Sequence, residues 1–141
     1  MEELGDDDAR TSMRLWLELY PPSDMQGVLA ALAQRDLLLW RWLTFMQKYP
    51  LVVMPTLGDL APPHNLDTTR EGQALVMDSI RVSLISPLLG VPAIAVPVGN
   101  HGRLRAGVQI LASRFREDLC LDAGEVVEAA EGVVTPTDPA R

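Results

Sequence analysis

The chain contains three short apolar runs with β-branched residues, at residues 51–55, 93–98 and 106–112. Each run has the length of a strand, and near-continuous apolar character is typical of strands that are covered on both faces. The polar stretch Asn100, His101 and Gly102 separates the last two runs and predicts a short turn. The pattern therefore indicates two adjacent buried strands and a third strand earlier in the chain.

Helical patterns occupy the first third of the chain. Residues 13–20 predict a short helix, which the following two prolines stop. Ser23 stands three residues before Gln26, and this capping spacing predicts a long helix over residues 24–47. The long helix is apolar around most of its circumference, so it needs cover on several sides. Either a partner or another part of the same protein supplies that cover, or the helix is the centre of a small α/β domain.

Two more helices are predicted in the rest of the chain. Thr68 and Glu71 repeat the capping spacing and predict a helix over residues 70–86, which Pro87 ends. Residues 115–130 place their apolar side chains on one face and predict a final amphipathic helix.

The order of helix, strand, helix, strand, strand and helix predicts the α/β fold class, with a mixed sheet of about three strands covered by helices. A length of 141 residues favours one domain. We expect residues 1–22 to be a loose N-terminal segment with a short helix and residues 23–131 to form the domain. The Pro-containing residues 132–141 are expected to be a disordered tail.

Composition excludes several classes of partner. Twelve basic residues against 19 acidic ones give a formal net charge of −7, and no basic run is present, so neither nucleic acid nor an anionic membrane is expected to bind. A single cysteine allows no internal disulfide and favours a reducing compartment. The acidic N-terminus does not resemble a signal peptide, and no apolar run is long enough for a membrane span. These features favour the cytoplasm.

Candidate catalytic and metal-binding groups are sparse. Lys48 is the only lysine, and its place at the end of the long helix favours the charged ammonium rather than a base. His64, His101 and Cys120 lack the spacing of a zinc site, and acidic neighbours disfavour a reactive thiolate at Cys120. No serine lies on a glycine-rich turn. We predict no catalytic residue, no metal and no cofactor in this chain.

Three sequence pieces carry a resemblance to a known family. They are LLGVPAIAVPVGNHGRLRAGVQILA at residues 88–112, YPLVVMPT at 49–56, and GVQ at 107–109 followed by RFREDLCLDA at 114–123. In this order and spacing they resemble the C-terminal portion of amidase-signature enzymes, and bacterial amidases most closely. The resemblance covers residues 24–130.

The resemblance implies an acyl-transfer reaction whose catalytic residues lie outside this chain. In the family a serine nucleophile is relayed to a lysine base through a second serine in a cis peptide, and a glycine-rich loop stabilises the oxyanion. All of these parts precede the region of resemblance. This chain is implied to supply part of the wall of the substrate pocket, from Pro55, Thr56, Leu57 and Pro87. Pro87 stands where the family often has an asparagine.

Two functions remain open at this point. In the first, the chain is the C-terminal section of an amidase. It then supplies scaffold and part of the pocket wall and is inactive alone. Its partners are then an amide substrate in the complete enzyme and either a second copy or a separate N-terminal half. Alternatively, it is a noncatalytic remnant or interaction module that binds a partner through the apolar helical surface around Trp16, Trp40 and Trp42.

Overall fold

A computed structural model describes residues 5–101 and 104–132. It contains α-helices and strands in the order α1 (Asp7–Leu19), α2 (Met25–Met46), β1 (Leu51–Pro55), α3 (Arg70–Ser79), α4 (Ile85–Leu89), β2 (Ala93–His101), β3 (Leu104–Ala112) and α5 (Glu117–Glu131). Two short 3₁₀ turns, Leu66–Thr68 and Ile80–Val82, precede and follow α3. Residues 133–141 of the predicted tail lie outside the described residues.

The described strands form one sheet in the order β1-β3-β2, and both pairings are antiparallel. Ile110 in the central strand lies opposite Val53 on one side and Ile94 on the other. The three strands with helices packed on them confirm the α/β fold class. Strand β2 extends through Asn100 to His101, so the predicted turn begins later than expected.

Helices cover the two faces of the sheet differently. Helix α5 packs closely on one face, where a Cβ added at Gly124 would lie 3.0 Å from Ile94 Cδ1. The opposite face carries the core cluster, in which helices α2 and α4 pack against β3 through Leu39, Leu89, Val91 and Leu111. Neighbouring residues of a strand point to opposite faces, which is why both Ile110 and Leu111 are fully buried in the central strand.

Helix α1 begins six residues before the predicted start at residue 13. The side chain of Asp6 accepts a hydrogen bond from the Ala9 N–H at 2.9 Å and caps the helix, so the acidic stretch starts the helix rather than preceding it. The helix is fastened to the loop before α3, because Ser12 Oγ donates to Asp67 at 2.6 Å. Part of the predicted loose segment is therefore helical and attached to the rest of the fold.

Two predicted caps are wrong by one residue each. Asp24, not Ser23, caps α2 by accepting from the Gly27 N–H at 2.7 Å. Thr69, not Thr68, caps α3 by accepting from the Gly72 N–H at 3.1 Å. In both places two adjacent residues have suitable side chains, and the one in extended conformation next to the helix makes the bond.

The predicted helix over residues 70–86 is interrupted, and Pro87 does not end it. The α-helix stops at Ser79, and a second helix, α4, holds Pro87 in its first turn. Proline is tolerated in a first turn because the missing N–H has no partner within the helix there. The end of α4 is instead at Gly90, whose φ of 65° suits a residue without a Cβ.

Much of helix α2 is uncovered by the described residues. Leu39 and Met46 are its buried residues. Four apolar side chains along one side of the helix are 51% to 74% exposed, namely Met25, Leu29, Leu32 and Trp40. We call these four residues the α2 stripe. Trp42, by contrast, packs against the core cluster, so it does not belong to the apolar surface predicted around the tryptophans. No described helix has the length and apolar character needed to cross a membrane.

Candidate functional site

A cavity of about 580 Å³ lies beside the sheet, where the loop after β1 folds over strands β2 and β3. The strand side of the cavity is lined by Ala95, Val96, Pro97, Ala106 and Gly107, and the loop side by residues 55–61. Most of these side chains are apolar. Binding sites are common where loops leave the ends of buried strands, so this is the candidate site.

Three hydrogen bonds to its backbone hold the loop that forms the outer wall of the cavity. The Thr56 N–H donates to the Gly107 carbonyl at 3.0 Å, which extends the pairing of β1 with β3 by one residue. The Gly58 N–H donates to the Ser79 carbonyl at 2.7 Å. Ser83 Oγ donates to the Thr56 carbonyl at 2.5 Å. The wall is therefore tied to the central strand and to the end of α3.

Gln109 ties the same wall to the middle of the sheet. It is a buried polar residue of β3, and its Nε2 donates to the Pro55 carbonyl at 3.2 Å and to the Val82 carbonyl at 2.9 Å. Both amide hydrogens are thus used, and one side chain joins three segments. Sequence reasoning gave Gln109 no individual role. The available signal was its position as the one polar residue in the apolar run 106–112.

Thr56 and Gly107 meet at the floor of the cavity. A Cβ added at Gly107 would lie 2.9 Å from Thr56 Oγ1, so a larger residue there would require the Thr56 side chain to shift. The Thr56 hydroxyl is buried, and the described residues offer it no hydrogen-bond partner.

The structure brings three of the four predicted wall residues together. Pro55, Thr56 and Leu57 all line the cavity. Pro87 lies on α4 and is not among the cavity-lining residues. The role of these residues in binding a substrate stays a prediction.

The other groups singled out in the sequence have structural positions. Lys48 is exposed just after α2, with its Nζ 5.2 Å from the centre of the Tyr49 ring. Ser86 Oγ donates to the Val91 carbonyl at 2.7 Å, across the end of α4. Among the described residues, no group of three or more His, Cys, Asp or Glu side chains is placed to hold a metal ion. The side chain of His101 lies outside that description.

Cys120 is buried between α5 and the sheet, with its Sγ 3.5 Å from the Ile110 carbonyl. Burial raises the pKa of the Cys120 thiol, and the charges of Glu117 and Asp118 raise it further. The prediction from acidic neighbours gives the right direction, but burial is the larger cause. Exposed Asp118 behaves differently, because its hydrogen bond with Arg116 lowers its pKa.

The raised pKa of Cys120 predicts a loss of stability at alkaline pH. The unfolded chain releases the thiol proton near pH 8.5, whereas the folded chain retains it, so the free energy of unfolding falls as the pH rises above about 8.5. Cys120→Ala should remove this contribution to the pH dependence of the free energy of unfolding. The smaller side chain also lowers stability, but by an amount that does not change with pH. Urea unfolding of both proteins from about pH 7 to pH 10 measures the difference. Equal slopes would show that Cys120 does not contribute.

A family model described as Amidase matches residues 6–121. The chain belongs to the amidase family. The matched residues include the three described strands and the whole loop wall of the cavity, so the candidate site lies within the family-matched region. The resemblance to amidase-signature enzymes is thereby confirmed, although the matched residues begin and end earlier than the predicted range of 24–130.

Curated relatives of this amidase-family chain include two hydrolases and part of an amidotransferase. It is 34% identical over 113 residues to an indoleacetamide hydrolase of Bradyrhizobium japonicum, covering 79% of this chain and 24% of that protein. It is 32% identical over 125 residues to a fatty acid amide hydrolase of Arabidopsis thaliana, covering 86% of this chain and 20% of that protein. A glutamyl-tRNA(Gln) amidotransferase subunit of Rhodopseudomonas palustris is 43% identical over 51 residues, 36% of this chain and 10% of that protein. The chain thus spans a quarter or less of these relatives.

Proposed function

We propose that this chain forms the scaffold and one wall of the substrate pocket in an amide hydrolase, and that the catalytic groups come from sequence outside it. The observation that carries the proposal is the cavity whose wall, residues 55–61, is held against β3 within the family-matched region. The resemblance supports the proposal that the chain is the C-terminal section of such an enzyme. The proposed location remains the cytoplasm.

In the proposed complete enzyme, the catalytic portion breaks the amide bond and this chain contributes to substrate binding. The serine oxygen attacks the amide carbonyl, the C–N bond breaks, and the amine leaves with a proton that the lysine system delivers. Water then hydrolyses the acyl-serine ester to the acid. This chain has one lysine, the exposed Lys48, and no pair of adjacent glycines, so its proposed share is binding and not bond cleavage.

The lining of the cavity favours an apolar part of the substrate. The side chains of Leu57, Leu60, Ala95 and Pro97 surround it, and Asp59 is the one charged residue among its lining residues. An apolar group gains free energy when it leaves water for such a lining. The names of two relatives, indoleacetamide hydrolase and fatty acid amide hydrolase, specify amides of apolar acids. We infer that the cavity takes the apolar acyl group of an amide.

A chimeric enzyme tests the proposed function. The segment of the Bradyrhizobium japonicum indoleacetamide hydrolase that matches this chain is replaced by the corresponding residues of this chain, and hydrolysis of indoleacetamide is measured. We expect the folded chimera to hydrolyse the amide, because the catalytic groups and the pocket wall are both present. A folded chimera without activity would contradict the proposal.

Gly107→Ala in that chimera should weaken substrate binding. The new Cβ would lie 2.9 Å from Thr56 Oγ1 and push the wall out of position. We expect KM to rise about tenfold with little change in kcat, because the catalytic groups lie elsewhere. The double variant Thr56→Ala/Gly107→Ala is the control, since removing the hydroxyl relieves the contact and should recover much of KM. An unchanged KM for Gly107→Ala would mean that substrate does not use this cavity.

A noncatalytic interaction module is the second candidate function, and the exposed α2 stripe favours it. Apolar patches of this kind on a water-exposed helix are typical of protein-binding surfaces. The chimera distinguishes the two functions, because an interaction module has no reason to support amide hydrolysis. Retained activity favours the pocket wall, and a folded but inactive chimera favours the module.

A further inference from the structure

We propose that the guanidinium groups of Arg35 and Arg114 bind the carboxylate of a small organic acid over Gly90, at the end of α4. Arg35 belongs to α2 and Arg114 to the segment between β3 and α5, so distant parts of the chain meet at this place. The site shares no lining residue with the cavity beside the sheet. It does not depend on the catalytic portion of an amidase, so the full chain alone is sufficient to test it.

Both guanidinium groups border the same small space above Gly90. A Cβ placed on Gly90 would lie 3.4 Å from Arg35 Nη2 and 3.6 Å from Arg114 Nη2. No other described heavy atom outside Gly90 and its chain neighbours lies within 4 Å of that point. Gly90 has a φ of 65° and no side chain, so it leaves the space open. An oxygen atom near this point could therefore accept hydrogen bonds from both nitrogens after a small movement of either side chain.

Hydrogen bonds to the end of α4 hold the two arginines in place without using all of their donors. Arg35 Nε donates to the Leu88 carbonyl at 2.5 Å, and Arg114 Nη2 donates to the Leu89 carbonyl at 3.4 Å. A guanidinium group has five N–H donors, so each arginine keeps donors for a ligand. Both side chains are half-buried, and this placement lowers the entropy that they lose when a ligand binds.

The charges around this space suit a ligand with a single negative charge. Two neighbouring guanidinium groups repel each other, and an anion between them offsets that repulsion. Among the described residues, Arg114 has no acidic partner, and Arg35 has one long contact, 3.4 Å to the exposed Asp36. Glu117 lines the adjoining cavity, and its negative charge disfavours a dianion such as phosphate. A carboxylate has one charge and two oxygens for two guanidinium groups, so it is the better match.

A cavity of about 440 Å³ adjoins the arginines and has room for the rest of the acid. Gly90 and Arg114 are among its lining residues, and its apolar side chains are Val91, Pro92 and Phe115. The Phe115 ring is 87% exposed, and its backbone has a φ of 61°, which is costly for a bulky residue. Strain of this kind is common at ligand-binding sites. We therefore expect the acid to carry an aryl or alkyl group that packs against Phe115.

Phenylacetate and phenylacetamide test the site on the full chain, because they share an aromatic group and only phenylacetate is charged. Binding is measured by calorimetry and located by NMR of the backbone amides. We expect phenylacetate to bind at least about tenfold more tightly than phenylacetamide. The largest chemical-shift changes should occur at residues 90–91 and 114–117. Inorganic phosphate, the third ligand, should bind more weakly than phenylacetate.

Arg35→Gln and Arg114→Gln should each weaken phenylacetate binding at least about tenfold, because each removes one of the two charges. Arg41→Gln, at an exposed position on the same helix as Arg35, is the matched control and should leave binding unchanged. Phe115→Asn removes the ring, and asparagine tolerates a positive φ. This variant should be at least as stable as the wild type but bind phenylacetate more weakly. A purely structural role of Phe115 would not give that combination.

Several results would overturn this proposal. They are the absence of saturable phenylacetate binding, equal affinity for phenylacetamide, tighter binding of inorganic phosphate, and unchanged binding in both arginine variants. Chemical-shift changes confined to residues 55–61 and 106–107 would place the acid in the other cavity and would also overturn it. The ligand comparison and the shifts are measured on the wild-type chain, so they do not depend on any variant folding.

Discussion

Replacing Gly72 by alanine should lower the free energy of unfolding by about 3 kcal/mol, one of the two largest effects that we expect of a single substitution. Gly72 is buried in the first turn of α3, and a Cβ there would lie 1.8 Å from the Leu66 carbonyl oxygen and 2.8 Å from its carbon. The obstacle is backbone within a 3₁₀ turn, so it cannot rotate away as a side chain would. Relief requires α3 to move off the preceding turn, which also carries the contacts to α1.

Gly27→Ala is a closely matched control for this prediction. Gly27 and Gly72 occupy the same position, three residues after their helix caps Asp24 and Thr69. A Cβ at Gly27 would meet only side-chain atoms, of which the nearest is Ser23 Cβ at 3.1 Å. Alanine also has a higher helix propensity than glycine, so the free energy of unfolding of Gly27→Ala should stay within about 1 kcal/mol of the wild-type value. Urea unfolding measures both variants, and equal stabilities would contradict the packing described for α3.

Gln109→Glu should lower the free energy of unfolding by about 3 kcal/mol at neutral pH, an effect as large as that expected for Gly72→Ala. The substitution keeps the shape of the side chain but replaces the donating amide with a carboxylate that faces the carbonyl oxygens of Pro55 and Val82. Both carbonyls lose their donor, and a buried negative charge gains no positive partner there. The wall of the cavity should loosen at the same time, because Gln109 holds its first residue.

The effect of Gln109→Glu should depend on pH with a defined sign. Burial against two carbonyl oxygens raises the pKa of the new carboxyl above that of the unfolded chain, about 4.3. The variant therefore loses stability relative to wild type as the pH rises above about 4.3, and it recovers part of the loss when the acid is protonated and can donate. Gln34→Glu, at an exposed position on α2, should show neither the loss nor this dependence. A pH-independent loss for Gln109→Glu would contradict the proposed cause.

The strands were the most predictable part of the fold. The run at residues 51–55 coincides with β1 because prolines bound an otherwise apolar segment on both sides. The caps were harder, since Ser23 and Asp24 both suit a cap, and the backbone conformation decides between them. The prediction that Pro87 ends a helix was wrong because proline fits both the end of one helix and the first turn of the next. The residue pattern alone does not reveal that a new helix begins just before it.

The candidate site could be predicted only in part. Thr56 and its neighbours were identified through the resemblance to amidase-signature enzymes, which implies that they line the pocket. Gln109 and Gly107 were given no place in it, because their roles depend on contacts distant in sequence. Gln109 bonds to carbonyls 54 and 27 positions away, and a larger residue at Gly107 would require the Thr56 side chain to shift. Such contacts follow from the register of β1 on β3, which hydrophobic patterning does not specify.

The most direct test of the central claim is the kcat/KM of the chimeric indoleacetamide hydrolase that carries this chain in place of its own matched segment. The parent enzyme with that segment deleted is the control. We predict activity well above the deletion control and within about a hundredfold of the parent, since a substituted pocket wall alters binding by about 3 kcal/mol or less. A folded chimera no more active than the deletion control would contradict the assignment of this chain as a pocket wall of an amide hydrolase.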